Sequence, residues 1–256
     1  MEVLVLAPNE IAKKTIEVGK TKANLTAGKM LLLGIFAGIF IALAGVGATI
    51  GNVVGGKLVG ALIFPVGLAM VIIAGSELFT GNNLMITAWL KGKITLPKLL
   101  KNWLLVFIGN FLGALLVAFF VVYSGVLDGA ADTVINTAIT KTNLSFIEAL
   151  IRGIFCNFLV CIAVWMAFSA ETPGGKIAAL FGPIFLFVLC GFEHSVANMY
   201  YGPAGIFVGL KNGLPLDNLN FLSFFWHNLL PVTIGNIIGG ACLVGFGYYL
   251  IYLRKK

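Results

Sequence analysis

Gly191-Phe192-Glu193-His194-Ser195-Val196-Ala197-Asn198 interrupts a hydrophobic stretch, 176–211, that is otherwise suited to a membrane interior. A second stretch, 58–90, carries Gly75-Ser76-Glu77-Leu78-Phe79-Thr80-Gly81-Asn82, with Gly, Glu and Asn at matching offsets. Carboxylates, an imidazole and backbone free of helix are costly in hydrocarbon. Such breaks therefore occur where protein or a water-filled cavity replaces lipid. Two broken helices at corresponding places in two halves of a chain point to a transport site. The chain reads as a channel or transporter with its site built from those breaks.

Composition agrees. Hydrophobic residues make up 59% of 256 and charged residues 11%, with a mean hydropathy of +1.02; a soluble domain carries roughly 25% charged residues. The net charge of +7 would suggest nucleic acid only on an exposed basic patch of a soluble domain. Here the basic residues lie between apolar spans. In a six-span reading, 13 of the 17 Lys and Arg fall on one side, in the N-terminal segment, the 91–101 connection, Lys176 and the C-terminal tail. Lys57, Lys141, Arg152 and Lys211 fall on the other. By the positive-inside rule both termini are cytoplasmic. Residues 1–28 lack the separate apolar core of a signal peptide. Pro8-Asn9-Glu10 followed by Ile11, Thr15 and Val18 predicts a capped amphipathic helix along the inner surface or under the spans. The four cysteines sit in apolar segments without metal-ligand spacing and read as inert.

A span needs about 20 apolar residues. Spans are expected at 30–50, 58–90 (broken at 76–82), 102–124, 146–169, 176–211 (broken at 193–198) and 221–253. Residues 1–29 form the N-terminal helix region, 30–253 the channel domain with repeats 30–124 and 146–253, and 254–256 a basic tail. The largest external loop is 125–145. The repeat extends beyond the breaks: Asn102, Gly109, Asn110 and Gly113 recur as Asn228, Gly235, Asn236 and Gly239, with offsets of 7, 8 and 11. Gly34-Ile35-Phe36 recurs as Gly153-Ile154-Phe155. An odd number of spans per half inverts the second half in the membrane. The fold class is an all-α membrane protein with an inverted 3+3 repeat.

His194 is the sharpest candidate, since an intramembrane ionisable group marks a site by default and imidazole changes charge near neutral pH. It is also compatible with a buried histidine satisfied by backbone. Glu77 and Glu193 would repel an anion, so they are expected to accept hydrogen bonds from backbone N–H groups freed by the breaks. Thr80 and Asn198 can present a hydroxyl and an amide to the permeant or to His194. Asn157, Asn110 and Asn236 are either glue between helices or pore lining. Phe64, Leu68, Leu78, Phe79 and Phe187 are either core packing or constrictions that gate by dewetting. Lys141 is an anion attractor at the external mouth or plain solvated surface, and His227 reads as interfacial. No residue set offers a nucleophile–base pair or a metal-ligand cluster, so neither an enzyme nor a metal site is expected; no cofactor is implied.

Glu77-Leu-Phe-Thr-Gly-Asn, Gly191-Phe-Glu-His-Ser-Val-Ala-Asn-Met199 and Pro231-Val-Thr-Ile-Gly-Asn-Ile-Ile-Gly-Gly240 resemble the formate/nitrite transporter family over the whole chain, most nearly its hydrosulfide-channel branch. That resemblance implies an aquaporin-like protomer in a homopentamer of the bacterial inner membrane. It puts the central histidine at His194, its hydroxyl partner at Thr80, and residues shaping the central electrostatics at Lys141 and Asn157. It implies a cytoplasmic constriction at Phe64, Leu68 and Phe79 and a periplasmic one at Leu78 and Phe187, with Glu193 and Asn198 flanking the histidine. The partners implied are a small anion (hydrosulfide, formate or nitrite) and the lipid bilayer, not nucleic acid.

The expected function is passage of a small monovalent anion, hydrosulfide first, with formate and nitrite permeant. Dehydrating an ion costs several kcal/mol or more, so proton transfer from His194 would let it cross as the neutral acid. Proton-coupled formate or nitrite transport is the alternative. A neutral-solute channel shares the broken-helix architecture, but the chain lacks paired Asn-Pro-Ala boxes.

Overall fold

A computed structural model describes residues 5–254; Lys255 and Lys256 of the basic tail lie outside the described residues. These are helical almost throughout. Five helical segments are long and apolar enough to cross a membrane: Ala27–Ala74, Leu96–Tyr123, Phe146–Ser169, Pro173–Cys190 and Phe221–Leu253. The first, at 48 residues, would be about 70 Å long if straight, more than twice a hydrocarbon core. It is not straight. Helix α2 (Ala27–Ile63) loses helical geometry at Gly55 and Gly56, the latter with φ of 76°, a backbone state that glycine adopts without steric cost. Ala48 and Gly51 then face Gly60 across the reversal. The expected first and second spans are thus joined by a two-glycine turn.

After α3 (Pro65–Ala74) the chain leaves helix at Gly75 and resumes in α4 (Phe79–Asn82), a 3₁₀ turn at Asn83–Met85 and α5 (Ile86–Leu90). Helix α6 (Leu96–Tyr123) follows. The expected loop at 125–145 contains a helix instead, α7 (Ala131–Thr142), with Val134, Ile135, Ala138 and Thr142 buried on one face. Helix α8 spans Phe146–Ser169, and α9 (Pro173–Cys190) stops at Gly191 before α10 (Ser195–Asn212) begins. Both breaks are shorter than the sequence suggests, since helix resumes at Phe79 and Ser195. The last span begins with α11 (Phe221–Phe224) and includes α12 (Leu230–Ile237), with wider π turns at Phe225–Leu229, Ile238–Phe246 and Tyr249–Leu253.

Two helix pairs meet through the repeated glycines, and they meet in the same way. A Cβ on Gly113 would lie 2.1 Å from the Ile35 carbonyl oxygen, and one on Gly239 2.1 Å from that of Ile154. A Cβ on Gly109 would strike the Leu31 oxygen at 2.5 Å, and one on Gly235 the Leu150 oxygen at 2.2 Å. Small residues let backbones approach this closely where hydrophobic burial between helices supplies little drive. The outward faces remain apolar, with Leu32, Leu104 and Phe120 all at least 60% exposed. Helix α1 (Pro8–Ala23) buries Ile11, Ala12, Thr15, Ile16 and Gly19 against Met85, Ala88, Leu99 and Trp165. Its buried face is rotated from the one expected, because Val18 is only half-buried. Lys14 donates to the Phe168 carbonyl at 3.0 Å and ties α1 to the end of α8.

Candidate permeation site

Each break ends in the same construction. Gly75 (φ 79°) and Gly191 (φ 74°) close α3 and α9 in the left-handed region. The next residues are extended, Leu78 at φ −108° and His194 at φ −105°, and helix restarts because a side chain from another helix receives it. Asn110 Oδ1 accepts from the Phe79 N–H at 2.9 Å while its Nδ2 donates to the Glu77 and Gly34 carbonyls. Asn236 Oδ1 accepts from the Ser195 N–H at 2.9 Å while its Nδ2 donates to the Glu193 and Gly153 carbonyls. Of the two readings open for these asparagines, the geometry selects glue. Asn157 serves the same purpose: its Nδ2 donates to the carbonyls of Thr80 (3.3 Å) and Asn236 (2.7 Å) and to Asn83 Oδ1.

The glutamates differ from expectation. Their carboxylates accept from side chains, not from freed backbone N–H groups, because the asparagines already serve those. Glu77 receives Lys22 Nζ at 2.9 Å and Asn82 Nδ2 at 2.7 Å, and Asn82 is braced by Asn102. Glu193 receives Lys141 Nζ at 2.8 and 2.9 Å and Asn198 Nδ2 at 2.7 Å, and Asn198 is braced by Asn228. Lys22 and Lys141 thus occupy corresponding places in two matching networks, although they come from α1 and α7. Each carboxylate is nearly inaccessible and is compensated by an ammonium, as a buried charge requires. The networks are not identical: Lys141 Nζ reaches both Glu193 oxygens and Asn228 Nδ2 also donates to Glu193 Oε2 at 3.2 Å, while Lys22 Nζ reaches one Glu77 oxygen. Asn82 Oδ1 accepts from Lys22 at 2.8 Å, whereas Asn198 Oδ1 has no protein partner among the described residues.

Between the networks, Thr80 Oγ1 and His194 Nε2 are 2.9 Å apart, joining the two breaks at their centre. His194 Nδ1 accepts from the Ala197 N–H at 3.0 Å and caps α10. An accepting Nδ1 carries no proton, so the proton of the neutral ring stands on Nε2 and is donated to Thr80. The threonine hydroxyl is then left with its own proton to offer. The Asn198 side chain belongs to the Glu193 network, and only its backbone N–H meets His194, donating to the carbonyl at 2.9 Å.

Two cavities approach this centre. One, of about 430 Å³, is bordered by Lys22, Glu77, Asn82, Leu68 and Leu78. The other, of about 140 Å³, is bordered by Lys141, Glu193, His194, Phe187, Phe64 and Lys57. Phe187 stacks on the His194 ring at 5.8 Å and meets Phe64 edge-on at 5.7 Å. The apolar residues divide between the two cavities. Phe64 and Phe187 stand together on the Lys141 side, and Leu68 and Leu78 border the Lys22 side. Phe79 packs edge-on to Phe107 and Trp103 and borders neither cavity. Sequence reasoning missed Lys22, Asn102 and Asn228 as site residues. The repeat did signal the asparagines, through their shared offsets, but nothing in the pattern tied a lysine of an amphipathic helix to Glu77.

Comparison with known proteins closes the identification. The formate/nitrite transporter family model matches residues 9–250. The formate channel FocA of Escherichia coli is 40% identical, over 98% of this chain and 96% of that protein. Among solved structures, a pentameric formate channel with formate bound superposes with a TM-score of 0.77 at 36% identity, over 89% of this chain and 98% of that one. An ion channel of the same family gives 0.81 at 29% identity, over 94% and 98%. These relatives are transport proteins, not enzymes. The chain belongs to the formate/nitrite transporter family.

Proposed function

We propose that this protein is a membrane channel for the small monovalent anions of weak acids. Its protomer is read as six spans in an inverted 3+3 repeat of aquaporin-like form, assembled as a homopentamer in the bacterial inner membrane with both termini cytoplasmic. The observation that carries the reading is the Thr80–His194 contact of 2.9 Å, joining two helix breaks between two cavities. An anion arriving there meets a hydroxyl proton and, behind it, an Nε2 proton, in surroundings where Phe64, Phe187, Leu68 and Leu78 exclude water. Full dehydration of the ion is costly. The Thr80 hydroxyl, backed by the His194 Nε2 proton, replaces part of the lost water. A proton taken up by the anion from bulk water lets it pass as the neutral acid, the neutral imidazole keeping its own. Lys22–Glu77 and Lys141–Glu193 keep the flanking breaks rigid and nearly neutral, so that neither carboxylate repels the permeant.

The relatives described as formate channels put formate ahead of hydrosulfide as the first substrate to test. Hydrosulfide stays in the same class, because the weaker acid is the easier to neutralise, and nitrite is a third. The test is flux through purified protein in liposomes, comparing formate, hydrosulfide, nitrite, chloride and glycerol across a pH series. Anion flux with weak glycerol flux supports the reading and ranks the substrates. Glycerol flux without anion flux overturns it in favour of a neutral-solute channel.

A further inference from the structure

The cavity on the Lys141 side is bordered by two ammonium groups, and only one of them carries free charge. Lys141 is spent on Glu193, with both carboxylate oxygens within 2.9 Å of its Nζ. Lys57 borders the same cavity, is exposed and makes no salt bridge among the described residues. Two features of the fold hold it there. The Gly55-Gly56 reversal makes Lys57 the first residue past the turn. Its Nζ lies over Gly191, 3.5 Å from where a Cβ would stand, at the carbonyl end of α9, where a cation is favoured. Gly191 is three residues from His194, so the free ammonium stands at the lip of the passage that leads to the central histidine.

We infer that Lys57, not Lys141, is the residue that concentrates anions at this mouth of the pore and sets the rate at which they reach His194. The inference rests on the channel reading above. A unit charge about 7 Å from an ion's path raises the local anion concentration about threefold in water. The effect fades as the screening length falls from about 30 Å at 0.01 M salt to about 3 Å at 1 M. A compensated pair such as Lys141–Glu193 has only a dipole to offer at that distance.

The experiment measures initial formate and hydrosulfide uptake into phosphatidylcholine liposomes holding the purified full-length protein, at sub-saturating and saturating anion, in about 0.01 M and about 1 M background salt. Lys57→Met is expected to lower sub-saturating flux about threefold at low salt and Lys57→Glu about sevenfold, with Lys57→Arg at the wild-type value. Saturating flux stays unchanged, and all four proteins converge at high salt. The inference is overturned if Lys57→Glu matches wild type at low salt, or if its deficit persists at high salt while Lys57→Arg is equally impaired. A wild-type protein that passes none of these anions under any condition overturns the channel reading itself. That outcome is distinct from one in which wild type conducts and the Lys57 variants do not differ from it.

Discussion

His194 has two nitrogens with separate tasks, and they can be taken apart. Nδ1 caps α10 through the Ala197 N–H, and Nε2 meets Thr80. His194→Ala removes both. His194→Asn keeps a good capping side chain and removes only Nε2. Both variants are expected to lose most of the anion flux, because Thr80 loses the Nε2 donor behind it. His194→Ala should also be less stable than His194→Asn by about 1 kcal/mol, the usual worth of a cap, read from thermal melts in detergent. Wild-type flux in His194→Asn would show that the ring is only a cap. The neighbouring ion pair makes a second prediction. Lys141→Met leaves the buried Glu193 carboxylate uncompensated, at a cost of about 3–5 kcal/mol, and adding Glu193→Gln should recover much of that loss. If the double variant melts no higher than Lys141→Met alone, the pair does not balance charge as described. Thr80, His194 and Glu193 were all visible as candidates in the sequence, because each is a polar residue set in apolar surroundings. Which nitrogen faces which partner was not, since that depends on where α10 starts.

The element that most needs support is the helix break, and its support comes from far along the chain. Phe79 is 31 residues from Asn110, and Ser195 is 41 from Asn236. Each asparagine serves one N–H and one carbonyl of the break and ties them to a carbonyl of a neighbouring helix, Gly34 in α2 or Gly153 in α8. Asn110→Leu or Asn236→Leu is therefore expected to cost about 3 kcal/mol or more and to raise amide hydrogen exchange selectively at Phe79 or Ser195. Uniform exchange across the chain would mean that the breaks are held by something else. The sequence displayed the asparagines as a repeat but suggested the glutamates as acceptors for the freed N–H groups, because proximity in sequence favoured them. Space decides otherwise, and the carboxylates are left to bind lysines. Helix α7 was hidden for a related reason. Asp128, Asp132 and Thr133 give its surroundings the look of a loop, while the stripe of Val134, Ile135, Ala138 and Thr142 that buries it is too short to stand out among longer apolar spans.

At the scale of the whole molecule, the membrane class was legible from composition alone, and the pairing of halves from glycines whose contacts repeat to within a few tenths of an ångström. Identity of the permeant was not legible, because formate, nitrite and hydrosulfide ask the same things of Thr80 and His194. Assembly was not legible either: a face such as that of Leu32, Leu104 and Phe120 is apolar whether lipid or another protomer covers it. The proposed pentamer predicts a native mass of five 27.2 kDa chains, readable by native mass spectrometry of the detergent-solubilised protein. The orientation has a sharper test, because an inverted repeat with three spans per half fixes which segments share a side. Lys13 and Lys93 must then face the cytoplasm with the bulk of the positive charge, and Asn143 and Asn218 must face the opposite way; all four are exposed. Single cysteines placed at these positions, in a protein whose own four cysteines are replaced by alanine or serine, should react with an impermeant maleimide from one side only. In intact cells Asn143→Cys and Asn218→Cys should label, while Lys13→Cys and Lys93→Cys should label only after the membrane is opened. If Lys13→Cys and Asn218→Cys react from the same side, the number of crossings between them is even. An inverted repeat, with five crossings between those positions, would then be untenable, whatever the likeness between the two breaks.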